Sequence, residues 1–198
     1  AFTQTFIPDK NDVTKRPPIP AENLFAIQNR CREVDDDLRW LIALISDSGM
    51  RLAEAAGLLK TDILLHHEIP HINLQPHAWR QLKTENSQRL IPLVGTSLWA
   101  ARRILDRTDS EFAFPRFTNA DHCNSNSASA TLNKWMKRYV PNRCVVHSFR
   151  HSFRDRLRAV ETPSEVADAL GGWTSRSIGQ SYGMGYDLTV LQRWMERM

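Results

Sequence analysis

Val145-Val146-His147-Ser148-Phe149-Arg150-His151-Ser152-Phe153-Arg154-Asp155-Arg156-Leu157-Arg158 reads as one helix with two unlike faces. At about 100° per residue, Arg150, His151, Arg154 and Arg158 fall within about 60° of His147. Val146, Phe149, Phe153, Leu157 and Val160 gather on the opposite side as an apolar stripe suited to a core. The helix therefore lays cations and imidazoles along one line. Such a line suits several phosphate oxygens, or one phosphate that gains charge during a reaction.

The chain has 198 residues, 41% of them hydrophobic, which is enough for one large domain with a real core. No run reaches the ~18 consecutive apolar residues of a membrane span, and the N-terminus lacks a charged–apolar–small signal pattern. The net charge of +4 is concentrated: segment 143–158 carries five Arg and two His against one Asp. This balance allows a polyanionic partner without proving one. Three widely spaced cysteines, Cys31, Cys123 and Cys144, fit reduced thiols better than a disulfide framework or a zinc ribbon. His66, His67, His71 and His77 have no Cys or acidic partner at ligand spacing, so no metal site is expected.

Residues 1–20, broken by Pro8, Pro17, Pro18 and Pro20, read as a linker or arm. Helical signal begins at Ala21. Asp35, Asp36 and Asp37 suit a helix start, and Leu38, Leu41, Ile42 and Ile45 follow at helical spacing until Gly49 stops it. A second short helix, with Leu52, Ala55 and Ala56 inward, has Arg51 in its first turn. The period then changes: Asp62–Leu65, Ile69–Leu74 and Gln88–Leu93 read as three short strands, with Lys83 near the tip of the second hairpin. Thr96 is expected to cap a helix running to about Arg107. A loop over 118–130 leads into a helix at about 128–139, ended by Pro141. After the basic helix, Pro163 opens a short helix to Leu170, and another is expected between Ser175 or Ser177 and Tyr182. Asp187 begins a last amphipathic stretch. The expected fold is mainly α with a small antiparallel three-stranded β-sheet.

Arg51 and Arg150 are candidate phosphate clamps, Lys83 a flexible cation, His147 a titratable group and Tyr182 a candidate nucleophile. Trp173 has an indole N–H that only donates. Two arginines with Lys, His and Tyr, and no carboxylate cluster for Mg²⁺, suggest metal-free phosphoryl transfer by a phenolate. The order of these motifs resembles the tyrosine recombinase (phage integrase) family over about residues 35–185. Ser48-Gly49-Met50-Arg51-Leu52-Ala53-Glu54 looks like the family's first box, and Lys83-Thr84-Glu85-Asn86-Ser87-Gln88-Arg89-Leu90-Ile91-Pro92-Leu93 its β-hairpin lysine segment. His147-Ser148-Phe149-Arg150-His151 matches the second box. Leu170-Gly171-Gly172-Trp173, with Tyr182 nine residues beyond the tryptophan, matches the third-box position and the nucleophile.

The resemblance implies the tyrosine recombinase catalytic-domain fold over 21–186, an upstream DNA-binding domain before the arm, and a C-terminal helix over 187–198 that could dock on a neighbouring subunit. It implies that Arg51 and Arg150 bind the scissile phosphate and that Tyr182 attacks to give a 3′-phosphotyrosyl bond. Lys83 would protonate the leaving 5′ oxygen, and His147 would exchange a proton with Tyr182. Trp173 stands where His is commoner and cannot accept a proton, so general-base work there is excluded. Glu54 and His151 would support the site, and Arg89, Arg154 and Arg158 would grip DNA. No cofactor is implied. The implied partners are double-stranded attachment or recombination sites, three further copies in a tetramer on DNA, and accessory DNA-bending proteins. The implied setting is the bacterial cytoplasm, at the nucleoid and away from membranes. A type IB topoisomerase-like or resolvase-like strand transferase, and a silent DNA-binding remnant, stay open as alternatives.

Overall fold

Asp35 ends α1 (Ala21–Val34) in a left-handed conformation, φ 52°, and the chain reverses at once into α2 (Asp37–Ser48). Asp36 caps α2 by accepting from the Arg39 N–H at 3.0 Å. The computed structural model describes residues 16–84, 87–173 and 185–198. Among these, α3 (Leu52–Ala56) precedes a three-stranded sheet of β1 (Ile63–Leu64), β2 (His71–Leu74) and β3 (Arg89–Pro92). Then come α4 (Gly95–Arg107), α5 (Ser125–Met136), α6 (Ser148–Ala159), α7 (Ser164–Gly171) and α8 (Leu188–Glu196).

The helix α2 is the axle of the fold. Every residue from Trp40 to Ser48 is buried, not only the expected stripe of Leu41, Ile42 and Ile45. The reason is its position: α1, α3, α4 and α6 all pack around it. The sheet is antiparallel with β2 in the centre, pairing Ile63 with Ile72 and Ile72 with Ile91. These three isoleucines are buried on one face, while Leu90, on the other, is 40% exposed. The strands are shorter than expected. Asp62 leaves the first one to close a 3₁₀ turn, where its carboxylate accepts from the Leu59 N–H and meets the His77 ring.

Several element ends differ from the sequence expectation for identifiable reasons. Thr96 does not cap α4 with its side chain. Instead, Asp47 reaches across from α2 and accepts from the Thr96 N–H at 2.8 Å. Asn124 accepts from the Ser127 N–H, so α5 starts at Ser125, before the expected 128. Residues 1–15 of the expected arm lie outside the described residues; at its end Ile19 is buried, and its backbone exchanges two hydrogen bonds with the Ser152 hydroxyl on α6. The helix α8 lies on its own chain, burying Leu191 and Met195 with Phe153, Leu157, Val166 and Leu170. The helix expected between Ser175 and Tyr182 lies outside the described residues.

Asp47 is the polar knot among these packed helices. It is 4% exposed and accepts from Gln28 of α1, the Thr96 N–H of α4 and Arg156 of α6. Arg156, one of the arginines of the basic helix, is committed to this ion pair at 2.8 Å. Asp47→Ala would strand these donors, and we expect a loss of about 3 kcal/mol in unfolding free energy, measured by urea denaturation. A change below about 0.5 kcal/mol would show that the knot is not needed.

Candidate active site

Gly49 sets the geometry from which the site is built. It ends α2 at φ 63°, a conformation that suits glycine, and a Cβ there would lie 2.3 Å from the Phe153 ring of α6. The close approach places the Gly49 carbonyl where Arg150 Nη1 donates to it at 2.6 Å. The chain then delivers Arg51 as the residue capping α3. Residues a hundred positions apart are thus brought side by side through one bare backbone turn.

Arg51 is held from within its own helix and from the hairpin. Glu54 Oε2 accepts from the Arg51 backbone N–H at 2.9 Å, and Oε1 pairs with the Arg51 guanidinium. The same Arg51 Nη1 donates to Ser87 Oγ at 3.0 Å. Glu54 also takes Arg89 Nη2 at 3.2 Å. Arg89 donates its remaining groups to Leu170 O at 2.9 Å and Ser87 O at 2.7 Å. Burial pushes the Glu54 carboxyl up, but Arg89, the Arg51 N–H and the Arg51 guanidinium together outweigh it and hold its pKa below the usual range. Glu54 is therefore an ionised carboxylate shared between two guanidiniums.

Arg150 is 5% exposed, despite belonging to the charged line of α6. Its guanidinium lies 4.6 Å from the centre of the Trp173 ring, and Arg154 lies 4.4 Å from the same ring. Gly171 makes room for that indole: a Cβ there would come within 2.0 Å of it. Arg150 Nη2 is buried and has no hydrogen-bond partner among the described residues. Burial, then Arg51 and Arg89, push the Arg150 pKa down to about 9. Positive charge is thus in excess here, and an anion would relieve it. His147 stands at the start of α6 with its ring edge-on to His151 at 5.2 Å. Burial, followed by His151, Arg16, Arg150 and Arg51, lowers its pKa, so the imidazole is neutral at neutral pH. A cleft of about 220 Å³ joins Arg51 and His147, with Arg16, Ser125, Asn126 and Ser129 completing its wall. Among the described residues no group of three His, Cys, Asp or Glu side chains is placed to hold a metal ion.

The sequence model of the phage integrase family matches residues 19–187. The chain belongs to the phage integrase family. No curated protein matches it by sequence. Among solved structures, it is similar to the Tn1549 transposon integrase (aa 82–397) in complex with circular intermediate DNA, at 15% identity and TM-score 0.64. That match covers 94% of this chain and 68% of the other. XerA recombinase matches at 14% identity and TM-score 0.63, over 96% of this chain and 66% of XerA. XerH bound to palindromic difH in a post-cleavage complex matches at 18% and 0.55, over 93% and 54%. The chain therefore spans about two thirds or less of these proteins, and at such identities the likeness is one of fold. As a phage integrase family member it is a tyrosine recombinase, an enzyme that cuts and rejoins DNA strands.

In this integrase-family chain, the structure brings Arg51, Glu54, His147, Arg150 and Trp173 into one neighbourhood, with His151 against His147. Lys83 is exposed on the β2–β3 loop that also carries Ser87, and Tyr182 lies outside the described residues. Arg89 corrects the sequence reading: its side chain is 7% exposed and spent on internal bonds, so it positions Glu54 rather than gripping DNA. Arg154 pairs with Asp168 at 3.0 Å behind Trp173, and Arg158 is exposed and paired with Asp155. The sequence reading missed Ser87 and Arg16. A lone serine in a hairpin and a cation in a proline-broken arm carry no periodic signal.

The depressed Glu54 pKa adds stability that is present in full above the unfolded carboxylate value, about 4.3, and is lost as pH falls through the lower folded value. Glu54→Gln is expected to reduce unfolding free energy at about pH 7 by about 3 kcal/mol and to flatten its fall at acid pH. Chemical denaturation across about pH 3–7 checks both, and parallel wild-type and variant curves would contradict the shared-carboxylate assignment.

Proposed function

We propose that the chain is the catalytic unit of a site-specific DNA recombinase, the integrase of a prophage or other mobile element, acting through a 3′-phosphotyrosyl intermediate without metal. The observation that carries this reading is the excess of guanidinium charge: Arg150 Nη2 is buried and unpartnered among the described residues, and Arg51, which lowers the Arg150 pKa, lines a cleft together with His147. A phosphodiester supplies the missing anion, and its two non-bridging oxygens match two guanidinium forks. Charge grows on those oxygens during attack, so the clamps hold the transition state more tightly than the bound substrate.

The phenol oxygen of Tyr182 attacks phosphorus while its proton passes to His147. The P–O5′ bond breaks, and the 5′ oxygen takes a proton from Lys83. Rejoining runs the same transfers backward, with a 5′ hydroxyl displacing the tyrosine. The other tyrosines are engaged elsewhere: Tyr139 packs against Trp135, and the Tyr186 hydroxyl donates to Glu165 at 3.0 Å. That supports Tyr182 as the nucleophile. Because Trp173 only donates, the neutral His147 is the proton acceptor at hand. Duplex DNA carries over as the partner from the Tn1549 integrase and XerH complexes. A tetramer on paired sites, DNA-bending accessory proteins and a place at the bacterial nucleoid complete the reading. No helix among the described residues is long and apolar enough to cross a membrane.

A pool of nicked suicide duplexes, randomised around the nick, tests the nucleophile. The wild-type chain should become covalently attached to DNA, and Tyr182→Phe should not; an adduct that persists in the variant would make another residue the nucleophile. The proton acceptor has its own signature. The cleavage rate at limiting DNA should lose activity only below the ordinary histidine value of about 6.5, because the lowered pKa keeps His147 neutral above it. His147→Gln should be slower and lack that acid limb. An unchanged limb in the variant would assign the titration elsewhere.

A further inference from the structure

We propose that Ser87 is a positioning residue that sets the Lys83 loop against Arg51, so that one buried hydroxyl aligns the proton donor with the phosphate clamp. The inference rests on the reading of Lys83 as the acid for the leaving oxygen.

Ser87 is 0% exposed although Thr84 and Gln88, on either side of it in the hairpin, are exposed. A serine that leaves water at the base of an exposed loop needs partners for each of its polar groups. Ser87 has them, and they come from two different parts of the site. Its hydroxyl accepts from Arg51 Nη1 at 3.0 Å and lies 3.0 Å from Thr84 Oγ1. Its N–H donates to Thr84 O at 3.0 Å, and its carbonyl accepts from Arg89 Nη1 at 2.7 Å. Thr84 is therefore tied twice to Ser87, once through backbone and once through side chain, and Lys83 is the residue before it. Arg51 and Arg89 meet on the other side at Glu54.

The consequence is geometric. Arg51 must hold the phosphate while a proton reaches the 5′ oxygen of that same phosphate. An exposed lysine on an untethered hairpin would sweep a wide volume, and misplacement by about 1 Å can reduce a rate about 100-fold. The Ser87 hydroxyl fixes the base of the lysine turn to the guanidinium that binds the reacting group. Losing that tether should weaken proton delivery selectively and leave phosphate binding in place.

Wild type, Ser87→Ala, Thr84→Val and Lys83→Ala are compared in the full chain on the suicide duplex recovered from the pool. The same duplex is also used with sulfur replacing the bridging 5′ oxygen. A 5′ thiolate departs without a proton, so the sulfur substrate bypasses the lysine while still requiring Arg51 and Arg150. On the oxygen substrate, Ser87→Ala should cleave about 10- to 100-fold more slowly and Thr84→Val should also slow; both, like Lys83→Ala, should recover the wild-type rate on sulfur. Thr84→Ser, which keeps the hydroxyl, should behave as wild type. Thr84 is exposed, so its variants keep the test decisive even if Ser87→Ala fails to fold. An equal loss on both substrates, or no loss on oxygen, overturns the coupling. Lys83→Ala that sulfur does not rescue overturns the lysine assignment instead, and a wild-type chain that forms no adduct overturns the phosphotyrosyl reading.

Discussion

Arg51 and Arg150 arise from segments separated by a hundred residues, and the contact that joins them is the backbone of Gly49. Three demands fall on that residue together. It must turn left-handed to end α2, it must lack a Cβ so that Phe153 can pack against it, and it must present its carbonyl to Arg150. Only glycine meets the first two cheaply. The remaining architecture keeps this contact in register. The fully buried α2 fixes one side, and Asp47, by holding Arg156 and the start of α4, fixes α6 on the other. The core therefore does more than stabilise: it sets the spacing between two guanidiniums.

Charge balance explains why the site is held ready rather than relaxed. Among the described residues, Glu54 is the one carboxylate paired with Arg51, Arg89 or Arg150, and it is shared between Arg51 and Arg89. Arg150 has a backbone carbonyl and an indole face instead of an acid. Bringing guanidiniums together in a partly dry pocket opposes folding, as the lowered pKa of Arg150 records. Interactions elsewhere in the fold offset that strain, and a bound phosphate would relieve it. A second acid beside Arg150 would stabilise the empty protein but would compete with the DNA backbone for the same donors.

The helices were legible in the sequence because their apolar residues recur at helical spacing and their ends carry Asp36, Gly49 and Pro163. The three strands were legible from the change to a two-residue period, and Arg51 and Arg150 from motif order. What was not legible has a common cause. Arg89, Arg156 and Asp47 are charged residues whose partners lie far away in the chain, and a charge read locally looks like surface. The resemblance implied that Arg89 grips DNA, and nothing in the local sequence of β3 names its distant partners; here it points beneath α3 and α7. The burial of α2 on every side was hidden for the same reason. Periodicity reports one apolar face, whereas the second is created by neighbours that the segment cannot announce.

Trp173 shows how one side chain can reshape the division of labour. A histidine at this position could donate, accept or carry charge, whereas an indole offers one donor and a broad π face. In this chain the face is used, since the guanidiniums of Arg150 and Arg154 both lie over it. A charged imidazole would repel those same groups in a pocket already rich in cations. The tryptophan instead attracts them through its ring, gives Arg150 a flat surface to lie on, and adds no proton equilibrium to the site. Arg89 also bonds Leu170 O, at the end of the helix that leads to Trp173, so the platform under Arg150 and the carboxylate behind Arg51 share one anchor. In the mechanism proposed above, proton transfer therefore falls to groups other than residue 173, and His147, whose pKa is lowered, stands at the cleft.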